Sequence, residues 1–263
     1  MDLGDRMKLY EGRFQQNLCP LVPAIARLDG RAFHTFCAKM EKPFDVAFHN
    51  IMVNVAMHLV KETGARLGYT QSDEISLLYY SDSFDSQIFF DGNVIKMVST
   101  LSAIASVYFN ERAPEKWTSN KRPTFDCRIA NYPIDEVANY FIWREQDAVR
   151  NSIQAAAQAN FSHHSLQGLS CDQLQEKLWQ EKGINWNDYS PAQKRGTYVR
   201  TTLVVTKFTK EELEKLPPKH HAHKNPDLEF ERHRVEIVEL PILTKVKNRT
   251  GVVLYGDEWE VDI

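Results

Sequence analysis

The order in which hydrophobic periodicity changes along residues 21–131 restricts this chain more than any other feature. Residues 21–28 (LVPAIARL) form a short apolar run that reads as a buried strand ending at Asp29-Gly30. Residues 45–63 carry Phe48, Ile51, Met52, Val55 and Leu59 at helical spacing, and Gly64 follows as a stop. Two strand-like runs, 66–71 and 75–80, are separated only by Ser72, Asp73 and Glu74, which predicts a hairpin. Residues 93–110 return to helical spacing at Val94, Met97, Val98, Leu101, Ile104, Ala105 and Tyr108, and 125–131 read as a further strand before Pro133. This β-α-β-β-α-β order is ferredoxin-like. It predicts a mixed α/β (α+β) fold with antiparallel neighbours in the order 4-1-3-2.

The remainder predicts a helical and β extension. Residues 134–161 contain no Gly or Pro and read as one long helix; 171–182 form a shorter one stopped by Gly183. A strand is expected over 197–206, a short helix over 210–216, a mobile loop over 219–227, and short strands over 235–238 and 252–255. The expected division is a catalytic domain over 1–133 and an extension over 134–263, packed on it or continuous with it. The net charge of −3 argues against broad non-specific nucleic-acid binding, although basic residues gather at Lys194-Arg195, 219–224 and 232–234. The N-terminus has acids and no apolar run, so no signal peptide is expected, and no stretch suits a membrane span. Cys19, Cys37, Cys127 and Cys171 form no C-x-x-C pair and read as reduced thiols of a cytoplasmic protein. His163-His164 and the cluster His220, His221, His223 lack the spacing of a helical zinc pair; the second reads as part of a basic loop near RNA.

In the ferredoxin-like topology the end of strand 1 lies beside the start of strand 3. That brings Asp29 to Asp73. Taken singly, Asp-Gly and Ser-Asp are ordinary turn formers; the element order gives the pair a second reason to exist. Two adjacent carboxylates repel, and a divalent cation relieves that repulsion. Mg²⁺ uses few protein carboxylates, and two such ions about 3.5–4 Å apart serve phosphoryl transfer. The following stretch, Gly30, Arg31, Ala32, Phe33 and His34, is expected to open a short helix whose free N–H groups hold a triphosphate. Phe33 and Phe36 read as core residues. Lys96 is either a phosphate contact or a solvated lysine.

Six segments, in order, carry a resemblance: RLDGRAFHTF at 27–36, KPFD at 42–45, YTQSDEISL at 69–77, FDCRIANYP at 125–133, WREQD at 143–147 and KRGTYV at 194–199. Together they resemble the tRNA-His guanylyltransferase family. The resemblance implies a palm-like domain, shared in outline with polymerases and nucleotide cyclases, that extends RNA in the 3′-to-5′ direction. It implies metal binding by Asp29, Gly30 (through its carbonyl) and Asp73. It places a nucleotide against Asp29, Gly30, Arg31, Ala32, Phe33, His34, Ser72 and Asp73. Glu74 and Lys42 match positions implicated in activity, and Lys194 and Arg195 match a basic pair taken as a phosphate contact. It further implies a homotetramer. Members that add guanosine to tRNA-His carry His-Ile-Asn-Asn where this chain has Val149-Arg150-Asn151-Ser152. Arg150 and Asn151 are retained here as candidate RNA contacts.

The expectation is a template-dependent 3′-to-5′ nucleotidyltransferase that restores truncated tRNA 5′ ends, using two Mg²⁺ ions and ATP, GTP or another nucleoside triphosphate. Its rivals are a tRNA-His guanylyltransferase proper, a palm enzyme that cyclises a nucleotide, and a non-catalytic tRNA-binding protein. Retention of both aspartates counts against the last.

Overall fold

The computed structural model describes residues 1–118, 122–225 and 227–261. The first half contains α1 (Leu3–Glu11), β1 (Ala24–Gly30), α2 (Phe33–Phe36), α3 (Val46–Thr63), β2 (Leu67–Gln71), β3 (Glu74–Tyr79), α4 (Val94–Arg112), α5 (Glu115–Thr118) and β4 (Phe125–Asn131). The second half contains α6 (Ile134–Asn160), α7 (His163–Leu166), α8 (Cys171–Lys182), α9 (Pro191–Arg195), β5 (Thr197–Lys207), α10 (Lys210–Lys215), β6 (Glu229–Val238) and α11 (Arg249–Tyr255). The six strands form one antiparallel sheet in the order β4-β1-β3-β2-β5-β6. Its first four members keep the expected 4-1-3-2 order, and β5 and β6 widen the sheet beyond β2.

The local signals explain the elements. Asp45 caps α3 by accepting from the Phe48 amide at 2.9 Å, and Asn93 caps α4 by accepting from the Lys96 amide at 3.0 Å. One face of the sheet presents Ala24, Ala26, Leu28, Ile75, Leu77 and Tyr79 to α3 and α4. The other presents Ile25, Leu67, Tyr69 and Leu78 to α6 and α11. Because both faces are covered, every residue of β2 and β3 is buried, and neither strand shows the polar alternation of a half-exposed sheet.

Helix α6 has 27 residues and is therefore about 40 Å long. The seven-residue β1 spans only about 23 Å. The helix thus overshoots the sheet, and its last turns carry Ile153, Ala156 and Ala157 against Leu174 and Leu178 of α8. Strand β5 has a different excess. It pairs with β2 only from Thr197 to Val199, then continues to Lys207 with β6 as its strand neighbour. The result is a two-stranded arm running away from the Asp29 end of the sheet. Among the described residues, no helix is long and apolar enough to cross a membrane.

Several expectations need correction. Residues 252–255 form the last turns of helix α11, not a strand. Their β-branched character is overridden by tertiary context: Val252, Val253 and Leu254 are buried, and the Arg200 guanidinium donates to the Val252 and Val253 carbonyls. Residues 221–223 form a 3₁₀ turn around the buried Ala222, with the His220 ring accepting from the Ala222 amide and packing against Phe208. Pro226 of the expected loop lies outside the described residues. Helix α1 was not foreseen, because its residues are all exposed and leave no core-facing stripe in the sequence.

One buried acid gives the fold a pH signature. Glu145 of α6 accepts from the Tyr198 hydroxyl at 3.2 Å, and burial pushes its carboxyl up to about 7. The folded state therefore holds this proton between about pH 4.5 and 7 while the unfolded chain releases it, so stability falls as pH rises through that window. Glu145→Gln is expected to match the parent near pH 4 and to exceed it by on the order of 2–3 kcal/mol at pH 8. Thermal or urea unfolding across that range checks this. A stability difference independent of pH would remove the assignment.

Candidate active site

The antiparallel register sets Asp29 opposite Glu74 on one side and opposite Asp126 on the other. The hairpin loop between β2 and β3 is the two residues Ser72 and Asp73, so Glu74 opens β3 and does not belong to the turn. Ser72 has φ +49°, the left-handed region that tight hairpin loops require. The Gly30 amide donates to the Asp73 carbonyl at 3.1 Å, which fastens this loop to the end of β1. Asp29, Gly30, Ser72, Asp73 and Glu74 thus meet at one corner of the sheet.

Period-two alternation places Arg27 and Asp29 on the face that α6 covers. Arg27 Nε lies 3.5 Å from Asp29 Oδ2, and Arg128 Nη2 lies 3.4 Å from the same oxygen and 3.3 Å from Asp126 Oδ1. Glu74 Oε2 meets Arg144 Nη1 at 3.2 Å, with both side chains buried. The same guanidinium reaches Asp147 Oδ2 at 2.6 Å, and Asp147 also pairs with Arg150 and accepts from Asn151 Nδ2 at 3.2 Å. Glu74 Oε1 and Arg144 Nε are buried without hydrogen-bond partners among the described residues.

These surroundings raise two of the acids and lower a third. Burial pushes Glu74 up to about 7 against the pull of Arg144 and Arg27. Burial also raises Asp73, and the charge of Asp29 adds to that; the Asp73 amide and the Ser72 hydroxyl, which donates at 3.2 Å, act the other way. Asp147 is desolvated too, yet Arg150 and Arg144 hold it below the usual carboxylate range. Among the described residues, no three His, Cys, Asp or Glu side chains form a ready metal cage. Two mutually destabilising carboxylates beside a backbone carbonyl nevertheless suit a hard cation that keeps most of its ligands as water or phosphate oxygen.

A cavity of about 340 Å³ opens beside this corner, lined among others by Lys42, Asp45, His49, Ser72, Asn151 and Gln193. Its far wall is the overshooting part of α6, at Ala148, Ser152 and Ala155. Burial lowers the His49 pKa and pushes the Cys37 thiol, another wall residue, up to about 12. His49 is therefore neutral and Cys37 protonated at neutral pH.

The expected site residues divide into three groups. Lys42, Ser72, Asn151 and the carboxylates lie at the corner or its cavity, with Arg150 alongside on α6; Arg31 and His34 are exposed just beyond β1. Others are present but engaged. The amides of Gly30 and Arg31 already donate to Asp73 and Thr124, so the triphosphate-holding N–H groups expected there narrow to those after Arg31. Ala32 has φ +59° and leads into a helix of only four residues. The Phe33 side chain is core, ringed by Phe36, Phe48, Phe109 and Phe125, which leaves only its backbone for a ligand. Lys194 Nζ donates to the Asn187 carbonyl at 2.6 Å, and the Arg195 carbonyl accepts from Tyr69. A third group is elsewhere. Lys96 starts α4 at the opposite end of the sheet, near Asn17, and the His220 to His223 cluster lies towards the tip of the arm. β5 thus carries the cluster read as a basic loop near RNA away from the carboxylate corner. Arg27, Asp126, Arg128, Arg144 and Asp147 were missed. The i, i+2 spacing of Arg27 with Asp29 and the i, i+3 spacing of Arg144 with Asp147 were the available signals.

Comparison with known proteins gives consistent results. Residues 4–133 match the family model described as "Thg1: tRNAHis guanylyltransferase". The chain is 32% identical over 209 residues to the tRNA(His) guanylyltransferase of Debaryomyces hansenii, covering 72% of this chain and 77% of that one. Its fold is similar to a bacterial tRNA(His) guanylyltransferase (Thg1)-like protein in complex with ATP, at TM-score 0.80 and 37% identity over 97% of this chain and 100% of that one. A GTP complex of a protein so described gives TM-score 0.70 and 35% identity over 92% and 94%.

Gly30 also has a packing role in this corner. A Cβ built on it would stand 2.4 Å from the Phe33 ring, which four other aromatics hold in place. Gly30→Ala is expected to destabilise the fold by about 1–3 kcal/mol. Gly12→Ala, where no atom lies within 4 Å, serves as the control and is expected to shift Tm by less than about 2 °C. Equal melting temperatures for the two variants would show that the corner repacks freely.

Proposed function

The chain belongs to the tRNAHis guanylyltransferase family and is a nucleotidyltransferase, and we propose that it restores truncated tRNA 5′ ends by templated 3′-to-5′ nucleotide addition. The observation that carries this reading is the meeting of Asp29, Asp73 and Glu74 beside a cavity of nucleotide size. The relatives solved with ATP and GTP support nucleoside triphosphates as substrates. With a 5′-monophosphate RNA, the first step transfers AMP from ATP to the RNA phosphate and releases pyrophosphate. The 3′-hydroxyl of the incoming triphosphate then attacks that activated phosphate and expels AMP. A 5′-triphosphate end enters directly at the second step, with pyrophosphate leaving.

Asp29, Asp73 and the Gly30 carbonyl would hold Mg²⁺. When bound, two such ions supply the charge that acidifies an attacking hydroxyl and shields a triphosphate. Arg31, His34 and Lys42 offset phosphate charge around the cavity, an electrostatic role. Glu74, anchored by Arg144, fixes the end of β3 and so the position of Asp73. Arg128 keeps a guanidinium 60% exposed beside Asp29, where it can meet an RNA phosphate.

Selectivity by base pairing has its own support at residues 149–152. Val149 packs in the α6–α8 cluster, and Arg150 and Asn151 are tied to Asp147. The Ser152 hydroxyl donates to the Val149 carbonyl and accepts from the Trp186 indole at 3.1 Å. None of these side chains is poised to read one tRNA. A wrong base misplaces the 3′-hydroxyl, and about 1 Å of misplacement costs roughly a hundredfold in rate. The rival, guanosine addition to tRNA-His, draws support from the name of the Debaryomyces relative.

Two experiments test the proposal. Asp29→Ala and Asp73→Ala should each lower nucleotide addition by roughly a hundredfold or more, with melting temperature within a few degrees of the parent. Near-normal addition by either variant at saturating Mg²⁺ would refute the metal assignment. A tRNA lacking its first nucleotide should be restored with the complement of the opposing acceptor-stem base. Changing that base from C to A should switch preference from GTP to UTP, read as incorporation rates for all four nucleotides. Guanosine preference on both RNAs, or addition confined to tRNA-His, restores the rival.

A further inference from the structure

Trp143 is an exposed aromatic of α6 near the carboxylate corner, and its position is unusual for an exposed indole. It is 49% exposed. Two guanidiniums lie against its ring, with Arg144 Cζ 3.9 Å and Arg27 Cζ 5.7 Å from the centroid. Tyr140 meets it edge-on at 5.8 Å. The two arginines are those that pair with Glu74 and Asp29. The indole therefore stands one side chain away from both carboxylates, held in place by cation–π contact. Scattered exposed apolar residues need no explanation. A rigid, half-open aromatic surface fixed beside the reacting corner has a chemical consequence.

Such a surface suits a planar partner. Every nucleobase has a π-face, so stacking on an aromatic side chain is sequence-tolerant. Arg128, 3.4 Å from Asp29 and with its side chain 60% exposed, is the guanidinium nearby that can meet an attached phosphate. Trp143 is not among the residues lining the cavity at Lys42 and Asn151. The Trp143 face is thus separate from that cavity.

We propose that Trp143 is a stacking platform for a nucleobase at the carboxylate corner, and hence a positioning residue for nucleotidyl transfer. The inference rests on the function proposed above. The base comes from the RNA 5′-terminal nucleotide or from an incoming nucleoside triphosphate. Sequence-tolerant stacking leaves the choice of nucleotide to the template strand.

The test measures binding without turnover, so that its outcome is separate from that of the addition assay. Affinities of the parent, Trp143→Ala, Trp143→Phe and Trp143→Leu are compared for a 5′-truncated tRNA and for a nucleoside triphosphate. The same measurements use a tRNA whose 5′-terminal nucleotide is abasic and ribose 5-phosphate extended to its triphosphate. Trp143→Ala and Trp143→Leu should weaken one of the two intact ligands roughly 5- to 100-fold, and Trp143→Phe by less than about threefold. For that ligand, the base-lacking analogue should bind parent and variants alike. A loss on tRNA that vanishes with the abasic end identifies the RNA as the source. A loss on the triphosphate that vanishes with the ribose analogue identifies the incoming nucleotide. Unchanged affinity for both intact ligands overturns the proposal, as does an equal loss with and without the base. Trp143→Leu keeps an apolar side chain at the position, so a failure of Trp143→Ala to fold does not remove the test.

Discussion

The buried contact between Glu74 and Arg144 joins the two halves of the molecule. Glu74 opens β3 opposite Asp29, and Arg144 projects from the middle of α6. Burying both charges is expensive, and the partnerless Glu74 Oε1 and Arg144 Nε show that compensation is incomplete. Removing one partner from such a pair typically costs about 3–5 kcal/mol, because the other charge is left behind. What the pair fixes is where the long helix sits along the sheet. The later part of α6 follows from that placement, with the cavity wall and the surface on which α8 packs. The same guanidinium supports Trp143 and Asp147, so one buried cation orders three neighbours of the carboxylate corner.

Much of this architecture was legible because the first half obeys local rules. Capped helices with regular apolar spacing gave α3 and α4, and the element order then put Asp29 beside Asp73. The last helix was not legible. Val252, Val253 and Leu254 read as a strand, whereas the left-handed Gly256 and the half-buried Arg200, arriving from β5, together satisfy a helix end there. The arginines at the site were hidden for a related reason. A lone Arg on a strand or helix reads as surface, and nothing nearby in sequence tells Arg144 that Glu74, seventy positions earlier, will be its partner. Phe33 was legible as a core residue, and its ring does serve the core; what the sequence did not show is that the glycine beside Asp29 makes room for it.

The corner is also asymmetric in a way that separates substrate handling from charge handling. On the α3 side, neutral His49, protonated Cys37 and mixed polar groups line an enclosed space. On the α6 side, arginines and carboxylates alternate across β1, β3 and β4 in an open ladder. Glu41, Lys42 and Asp45 also reach the cavity, so its charge is local to one wall while the ladder is charged along its length. Neither side comes from one segment. The cavity alone draws on residues near 42, 72, 151 and 193, so its shape depends on the whole sheet being assembled.

The arm formed by β5 and β6 follows a different rule from the rest of the sheet. Past Val199 its geometry is set by one ladder, and successive residues alternate between its two sides. Phe208 and Phe230 stack at its outer end with ring centroids 4.1 Å apart, tying the two strands where the ladder stops. A change in arm length therefore has a parity. Adding or deleting two residues in each strand moves the outer cluster by about 7 Å and keeps its sidedness. Adding or deleting one turns that cluster over, to the opposite side of the sheet. The length of the arm is therefore quantised in pairs, and the carboxylate corner at the other end is indifferent to which length is chosen.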